Sequence, residues 1–224
     1  MVALVRPEPH WRALDVATGG GHTALAIAPH VREVVASDIT AEMLEAAERF
    51  IRGRGVANVS FCEADSMSLP FGSGEFDLAT CRVAPHHFPD CPKFVRELWR
   101  VLRSGGTAAM VDNVVPDDPE AAKYINEIEQ LRDPSHHWAY PAGEWTALYE
   151  RAGFKVEAVE TFRKERDFDN WSGMMGVTEP LKSRLRGMLV TAPGVAGEHL
   201  APEPQGERIR FHLTEVLIIA RKPA

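Results

Sequence analysis

One stretch constrains this chain more than any other: Leu14-Asp15-Val16-Ala17-Thr18-Gly19-Gly20-Gly21-His22-Thr23, followed by the apolar run Val34-Val35-Ala36-Ser37 and then Asp38. An apolar run enters a glycine cluster, and a helix-like segment from Thr23 to Ala28 leaves it. That order predicts a strand, a tight turn and a helix start. Glycines at such a turn let the backbone approach a ligand where a Cβ would obstruct it. Asp38 then falls at the carboxyl end of the neighbouring strand, where a carboxylate can accept two hydrogen bonds from a ribose diol. The pattern reads as a site for a nucleoside-bearing cofactor. Gly19-x-Gly21-x-x-Ala24 also fits the dinucleotide fingerprint, with the acid 19 residues after the first glycine. A nicotinamide-dependent oxidoreductase is therefore an alternative at this point.

The next motifs narrow the choice. Val59-Ser60-Phe61 leads to Glu63-Ala64-Asp65-Ser66 and Leu69-Pro70-Phe71. Phe76-Asp77-Leu78-Ala79-Thr80-Cys81-Arg82 follows as a fourth strand, and Glu97-Leu98-Trp99-Arg100-Val101-Leu102-Arg103-Ser104-Gly105-Gly106 as a helix and turn. This order resembles the class I S-adenosylmethionine-dependent methyltransferases, in particular the methyltransferase type 11 group related to ubiquinone- and menaquinone-biosynthesis C-methyltransferases. The resemblance runs from Leu14 to Asp112. It continues more loosely through Leu131-Arg132-Asp133-Pro134-Ser135-His136 and Ala152-Gly153-Phe154.

The resemblance implies S-adenosylmethionine as cofactor and methyl transfer to a small organic acceptor. It assigns cofactor binding to Asp15, Ala17, Gly19, Gly20, Gly21, Asp38, Ile39, Asp65, Ser66 and Arg82. Asp38 would accept from the ribose hydroxyls. Asp65 would accept from the adenine amine, with the Ser66 N–H meeting a ring nitrogen. Asp15 would hold the cofactor's amino group, directly or through water. Arg82 would reach the cofactor's carboxylate or else pair with Asp77 or another acid. Ala17 stands where the family has its first loop glycine, which is compatible with the assignment if φ is negative there. A non-catalytic binder of S-adenosylmethionine or S-adenosylhomocysteine is the second alternative. No metal site is expected, and no residue is assigned as catalytic.

Strand patterns near 12–17, 33–37, 58–62, 76–82 and 107–112 alternate with helix patterns near 22–29, 40–53 and 91–103. Such alternation predicts an α/β fold whose parallel sheet is covered on both faces. Thr40 is the expected N-cap of the second helix, with Met43, Leu44, Ala47 and Phe50 on one face. Beyond, a helix from Asp117 to Leu131 is capped by Asp117 or Asp118, with Pro119 in its first turn. Gly143 to Ala152 reads as a helix and Phe154 to Phe162 as a strand. Residues 168–205 read as short helices and loops. Arg210 to Ala220 is a strong terminal strand. The family's fold makes it the antiparallel seventh strand, between the fifth and sixth, of a Rossmann-like, mostly parallel seven-stranded sheet. One domain is expected over 1–224, with 12–115 as the cofactor half and 116–224 as the substrate half.

With 224 residues, 45% hydrophobic and 25% charged, the chain has an ordinary globular composition. A net charge of −7 without a basic stripe argues against a nucleic-acid partner. No apolar run reaches about 18 residues, so no membrane partner is expected. Cys62, Cys81 and Cys91 do not form a disulfide framework, and Cys62 and Cys81 read as reduced core residues of a cytoplasmic protein. A small-molecule substrate is the expected partner, with a homodimer left open.

Four further groups carry chemistry-bearing side chains. In His86-His87-Phe88, one histidine is expected to pack under the loop and the other to face solvent; a general base is the alternative. His136-His137-Trp138-Ala139-Tyr140 reads as an aromatic helix connection rather than a pocket wall. Met174, Met175 and Met188 read as core filling rather than as a pocket roof. Arg6 to Trp11, with two prolines, reads as a linker; so short a segment before the first strand is expected to leave the cofactor cleft open on one side.

Overall fold

The computed structural model describes residues 1–206 and 208–224. A short helix α1 (Val2–Val5) precedes β1 (Arg12–Val16), α2 (His22–Ile27), β2 (Glu33–Asp38), α3 (Ala41–Arg52), β3 (Val59–Glu63), β4 (Phe76–Arg82), α4 (Cys91–Val101) and β5 (Leu102–Val114). Next come α5 (Pro119–Arg132), α6 (Ala142–Arg151), β6 (Lys155–Asp167), α7 (Phe168–Gly173), α8 (Glu179–Val190), α9 (Gly194–Leu200), β7 (Glu203–Gln205) and β8 (Arg208–Arg221).

The sheet order is β3-β2-β1-β4-β5-β8-β6. β1 to β5 run parallel, and β8 inserts antiparallel to both β5 and β6. The expected seven-stranded path is present, with the terminal strand where the family's fold puts it. An eighth short strand, β7, pairs with β8 off that path. β6 extends five residues beyond its expected end at Phe162, because it stays paired with β8 as far as Asp167.

Two apolar layers sandwich the sheet. On one face α4 and α6 deliver Phe94, Val95, Leu98, Trp145 and Tyr149. On the other, α2 and α3 deliver Ala24, Ile27 and Ile51, joined by Val5 and Trp11. The expected linker before β1 is thus anchored at both ends. A third cluster packs α5, α7, α8 and α9 around Ile209, Phe211 and Leu213 of β8.

Local rules account for most boundaries. Asp90, Asp118 and Asp167 cap α4, α5 and α7 by accepting from the backbone N–H of Lys93, Ala121 and Asn170. Thr40 is the N-cap residue of α3, but its side chain makes no capping bond. The Thr40 N–H donates instead to Asp38, at 3.1 Å. The buried stripe of α3 is Leu44, Ala47 and Ile51, while Met43 is exposed and Phe50 half-buried. Cys81 and Cys91 are buried, whereas Cys62 is only half-buried, against its expected place in the core.

Candidate active site

Loops at the carboxyl ends of β1, β2 and β4 meet on one edge of the sheet, the side where α/β sheets bind ligands. The β1 loop is set by backbone bonds. Thr18 N–H donates to Ser37 O at 2.8 Å, and Gly21 N–H to Thr18 O at 2.9 Å. Gly19 N–H donates to the Asp38 carboxylate at 2.9 Å. One acid thus pins the glycine loop through one oxygen and the start of α3 through the other. A carboxylate offers about four lone pairs, so two stay available for other donors.

The glycines have different jobs. At Gly19 φ is +50°, and a Cβ there would meet no atom within 4 Å, so that side of the loop is open. At Gly21 φ is +80°, and a Cβ would stand 2.9 Å from Ile51 Cδ1 and 3.0 Å from Ala47 Cβ. Gly21 therefore serves the packing of α3 on the loop. Ala17 overturns an expectation: its φ is +51°, not negative. A left-handed alanine costs about 1–2 kcal/mol, held by the bonds on either side.

Asp15 is fully buried beneath this loop. Its two oxygens accept from the hydroxyls of Thr18, at 2.6 Å, and Thr80, at 2.7 Å. Burial pushes its pKa up to about 6 against the hydrogen bonds that favour the carboxylate. Asp65 closes its own turn by accepting from Met67 N–H at 2.8 Å. Arg82 does not pair with Asp77, which is taken by Arg103 and by the Arg12 N–H. Instead Arg82 Nε donates to the Thr23 hydroxyl at 3.1 Å.

These loops enclose three adjoining cavities. One of about 620 Å³ is lined by Ala17, Gly19, Gly20, Asp38, Ile39 and Arg82, among others. A pocket of about 180 Å³ adjoins it past Ala17 and Ile39 and holds Asp65 and Ser66. A chamber of about 390 Å³ opens on the other side, between Val83, Trp171, Met174, Met175 and Leu213. Eight of the ten expected cofactor residues therefore line the two joined spaces. Gly21 and Asp15 lie behind the wall, one packing and one bracing it. From residues 168–205 only Asn170, Trp171, Met174 and Met175 reach this region, all at the chamber, so the segment does not seal the cavity beside Gly19. Met174 and Met175 are exposed chamber residues rather than core, whereas Met188 packs against the third cluster.

The connection after α5 acts through its backbone. His137 and Trp138 N–H both donate to His86 O, at 2.8 and 2.9 Å. Buried His136 donates from Nε2 to Asn126 Oδ1 at 2.8 Å, and burial beside His86 and His87 lowers its pKa to about 3. Tyr140 meets Trp145 edge-on. The aromatic-connection reading thus matches the packing here.

Two acids escaped the sequence reading. Asp112 is fully buried and bonds His86 Nδ1 at 2.6 Å. Burial opposes charge on His86, but the Asp112 field and hydrogen bond outweigh it and raise the pKa. Glu215 is fully buried in β8 and pairs with Lys164 at 2.7 Å and Arg166 at 3.4 Å on the wall of the larger cavity. Each is an acid inside an otherwise apolar strand run, and that break in pattern is the signal that could have found them.

Comparison with known proteins agrees with this geometry. A methyltransferase domain model matches residues 14–110. The uncharacterised methyltransferase YcgJ of Bacillus subtilis is 35% identical over 97% of this chain and 87% of its own length. Its crystal structure superposes with a TM-score of 0.96, at 33% identity, over 100% of this chain and 97% of that one. A demethylmenaquinone methyltransferase of Thermus thermophilus is 39% identical over 50% of each chain. A phosphoethanolamine N-methyltransferase of Haemonchus contortus, solved with phosphomonomethylethanolamine and S-adenosylhomocysteine, shares the fold at a TM-score of 0.68 and 16% identity, over 100% of this chain and 52% of that one. With its loop, its strand order and a near full-length relative in agreement, the chain belongs to the methyltransferase family.

Proposed function

We propose that this chain transfers the methyl group of S-adenosylmethionine to a small organic acceptor. The carrying observation is Asp38: a buried carboxylate at the end of β2, pinned by two backbone N–H groups, with lone pairs to spare at the wall of a cavity. The residues present fit the cofactor. The cavity lies within the usual range for ligand sites, roughly 300–1,000 Å³. The smaller pocket beside it, holding Asp65 and Ser66, suits the adenine, and the exposed Ile39 side chain suits one face of that ring. Gly19 leaves room for the methionine portion, and Arg82 stands at that end with two guanidinium nitrogens not used by Thr23.

Bound S-adenosylmethionine supplies a methyl carbon activated by a sulfonium centre. The protein's part is orientation and a matched electrostatic surface. The chamber sets an apolar wall of Val83, Trp171, Met174, Met175 and Leu213 against polar and charged groups of both signs, among them Asn113, Arg132, Glu165 and Asp167, which suits a small acceptor with one apolar and one polar edge. The Haemonchus and Thermus enzymes lend the reading analogy, the first through its bound S-adenosylhomocysteine and the second through its quinone-type acceptor. Three free thiols suit a reducing cytoplasm.

Calorimetric titration with S-adenosylhomocysteine and, in parallel, with NAD tests the cofactor. Saturable binding of the first and none of the second is expected. The reverse would return the glycine loop to the dinucleotide class. Binding without methyl transfer across an acceptor panel would favour the non-catalytic reading.

A further inference from the structure

We propose that His87 is the general base of the reaction, taking a proton from a weakly acidic hydroxyl, enolic or phenolic, on the acceptor. The inference rests on the methyl-transfer reading above. Its first support is position. His87 is the one described residue that borders all three cavities, so it stands where the cofactor space opens into the chamber.

The second support is a proton count. His87 Nδ1 lies 3.0 Å from Ser135 O and 3.1 Å from Ser135 Oγ. The carbonyl can only accept. The Ser135 hydroxyl gives its hydrogen to Asp133 Oδ1, at 2.6 Å, so it too accepts from the ring. Both contacts therefore require the hydrogen on Nδ1. In the neutral ring the lone pair is then on Nε2, the nitrogen on the other side of the ring, which has no partner among the described residues.

The third support is how firmly the loop is held. Val83, the residue after β4, has φ +54°, a costly conformation for a β-branched side chain. Its N–H donates to Val111 O at 2.7 Å, which maintains the bend. Next door, His86 is fixed by Asp112 through its ring and by His137 and Trp138 through its carbonyl. His87 is thus placed by β4, β5 and the connection after α5 together.

The groups around it favour the neutral form. Burial and the charge of His86 lower its pKa, against Ser135 O, Asp133 and Asp112, which raise it. A neutral imidazole is matched to a weakly acidic hydroxyl and too weak for an aliphatic alcohol. In the step, the hydroxyl's proton moves to Nε2 while the acceptor's oxygen, or the carbon conjugated to it, forms a bond to the methyl carbon. The carbon–sulfur bond breaks, and its electron pair stays on sulfur. A phenolic acceptor methylated on carbon then rearomatises by tautomerisation, the ring carbon losing its proton to water while the oxygen regains one.

Two measurements test this. The first is ¹⁵N NMR of histidine-labelled protein with S-adenosylhomocysteine, His87 being identified by the signal absent from H87A. A neutral ring protonated on Nδ1 at pH 7 is expected. A charged ring, or a proton on Nε2, would overturn the assignment whether or not any acceptor is turned over. The second is methyl transfer to 1,4-dihydroxynaphthalene. H87A should lose about 10²-fold in kcat, lose the acid limb of its pH profile, regain activity with added imidazole, and lose far less in S-adenosylhomocysteine affinity than in kcat. Unchanged kcat in H87A would refute the proposal. Failure of the wild type to bind S-adenosylhomocysteine would count against the cofactor reading instead and leave the NMR result to decide the tautomer.

Discussion

The two sides of the cavity are built differently. The side made by β1, β2 and their loops is held by backbone: Gly19 and Thr40 N–H on Asp38, Thr18 N–H on Ser37 O. The side made by β5, β6 and β8 is held by side-chain pairs: the buried Asp112 on His86, and the buried Glu215 between the long, partly exposed Lys164 and Arg166. A backbone framework is rigid and tolerates little change of shape. Long charged side chains can reach water when a partner is lost. Substitutions on the two sides should therefore differ in size of effect.

The largest effect is expected at Gly21. A valine there would adopt a left-handed backbone and drive its Cβ into Ile51 and Ala47. Strain and overpacking together cost about 4 kcal/mol, a large part of a domain's stability. Gly19→Val carries the strain without the clash, so it should stay folded and lose S-adenosylhomocysteine binding. Urea melts beside calorimetry separate the two. Equal stability of both variants would mean that Gly21 does not pack on α3 as described.

Asp15 tests the backbone side by pH. Its folded pKa of about 6 lies above the usual carboxyl value of 3.8. The native state therefore binds more protons than the unfolded state between these values, and stability falls as pH rises from about 4 to about 6. The ceiling is about 3 kcal/mol. Asp15→Asn should lack that slope. Urea midpoints at closely spaced pH values check this, and a wild-type midpoint flat across the window would contradict the burial of the charge.

Asp38→Ala should weaken S-adenosylhomocysteine binding by about 2–3 kcal/mol, since hydrogen bonds to a charged acceptor are worth roughly 1.5 kcal/mol or more each. It should also loosen the loop, because Gly19 and Thr40 N–H lose their acceptor. Asp38→Asn keeps one accepting oxygen and should fall between. An unchanged Kd in folded Asp38→Ala would remove the ribose assignment.

The same division explains what the sequence made legible. The alternation of strands and helices, the glycine turn and the place of Asp38 follow from short-range pattern, and so does the cap at Asp118, whereas the place of the terminal strand in the sheet came from the family resemblance. Ala17 misled because a left-handed alanine is held by bonds from Ser37 and Asp38, about 20 residues away. Met174 and Met175 read as core because apolar composition does not tell a chamber wall from an interior. Met43 was assigned to the buried face of α3, whose stripe is centred instead on Leu44, Ala47 and Ile51. Asp112 with His86, and Glu215 with Lys164 and Arg166, depend on pairings 26 to 51 residues apart, set by sheet register rather than local spacing.

The smallest effect is expected at Glu215. Removing one partner of a buried ion pair costs several kcal/mol when the remaining charge is trapped. Here the cations are not trapped: the Lys164 and Arg166 side chains are 38% and 36% exposed. In Glu215→Gln they can turn to water while the amide keeps the volume and one accepting oxygen. The expected loss is about 1 kcal/mol. It should shrink further in high salt, which already screens the wild-type pair. Urea melts at low and high salt provide the measurement. A loss of 3 kcal/mol or more that salt does not alter would show this side to be as rigid as the backbone side, and the contrast between them would fail.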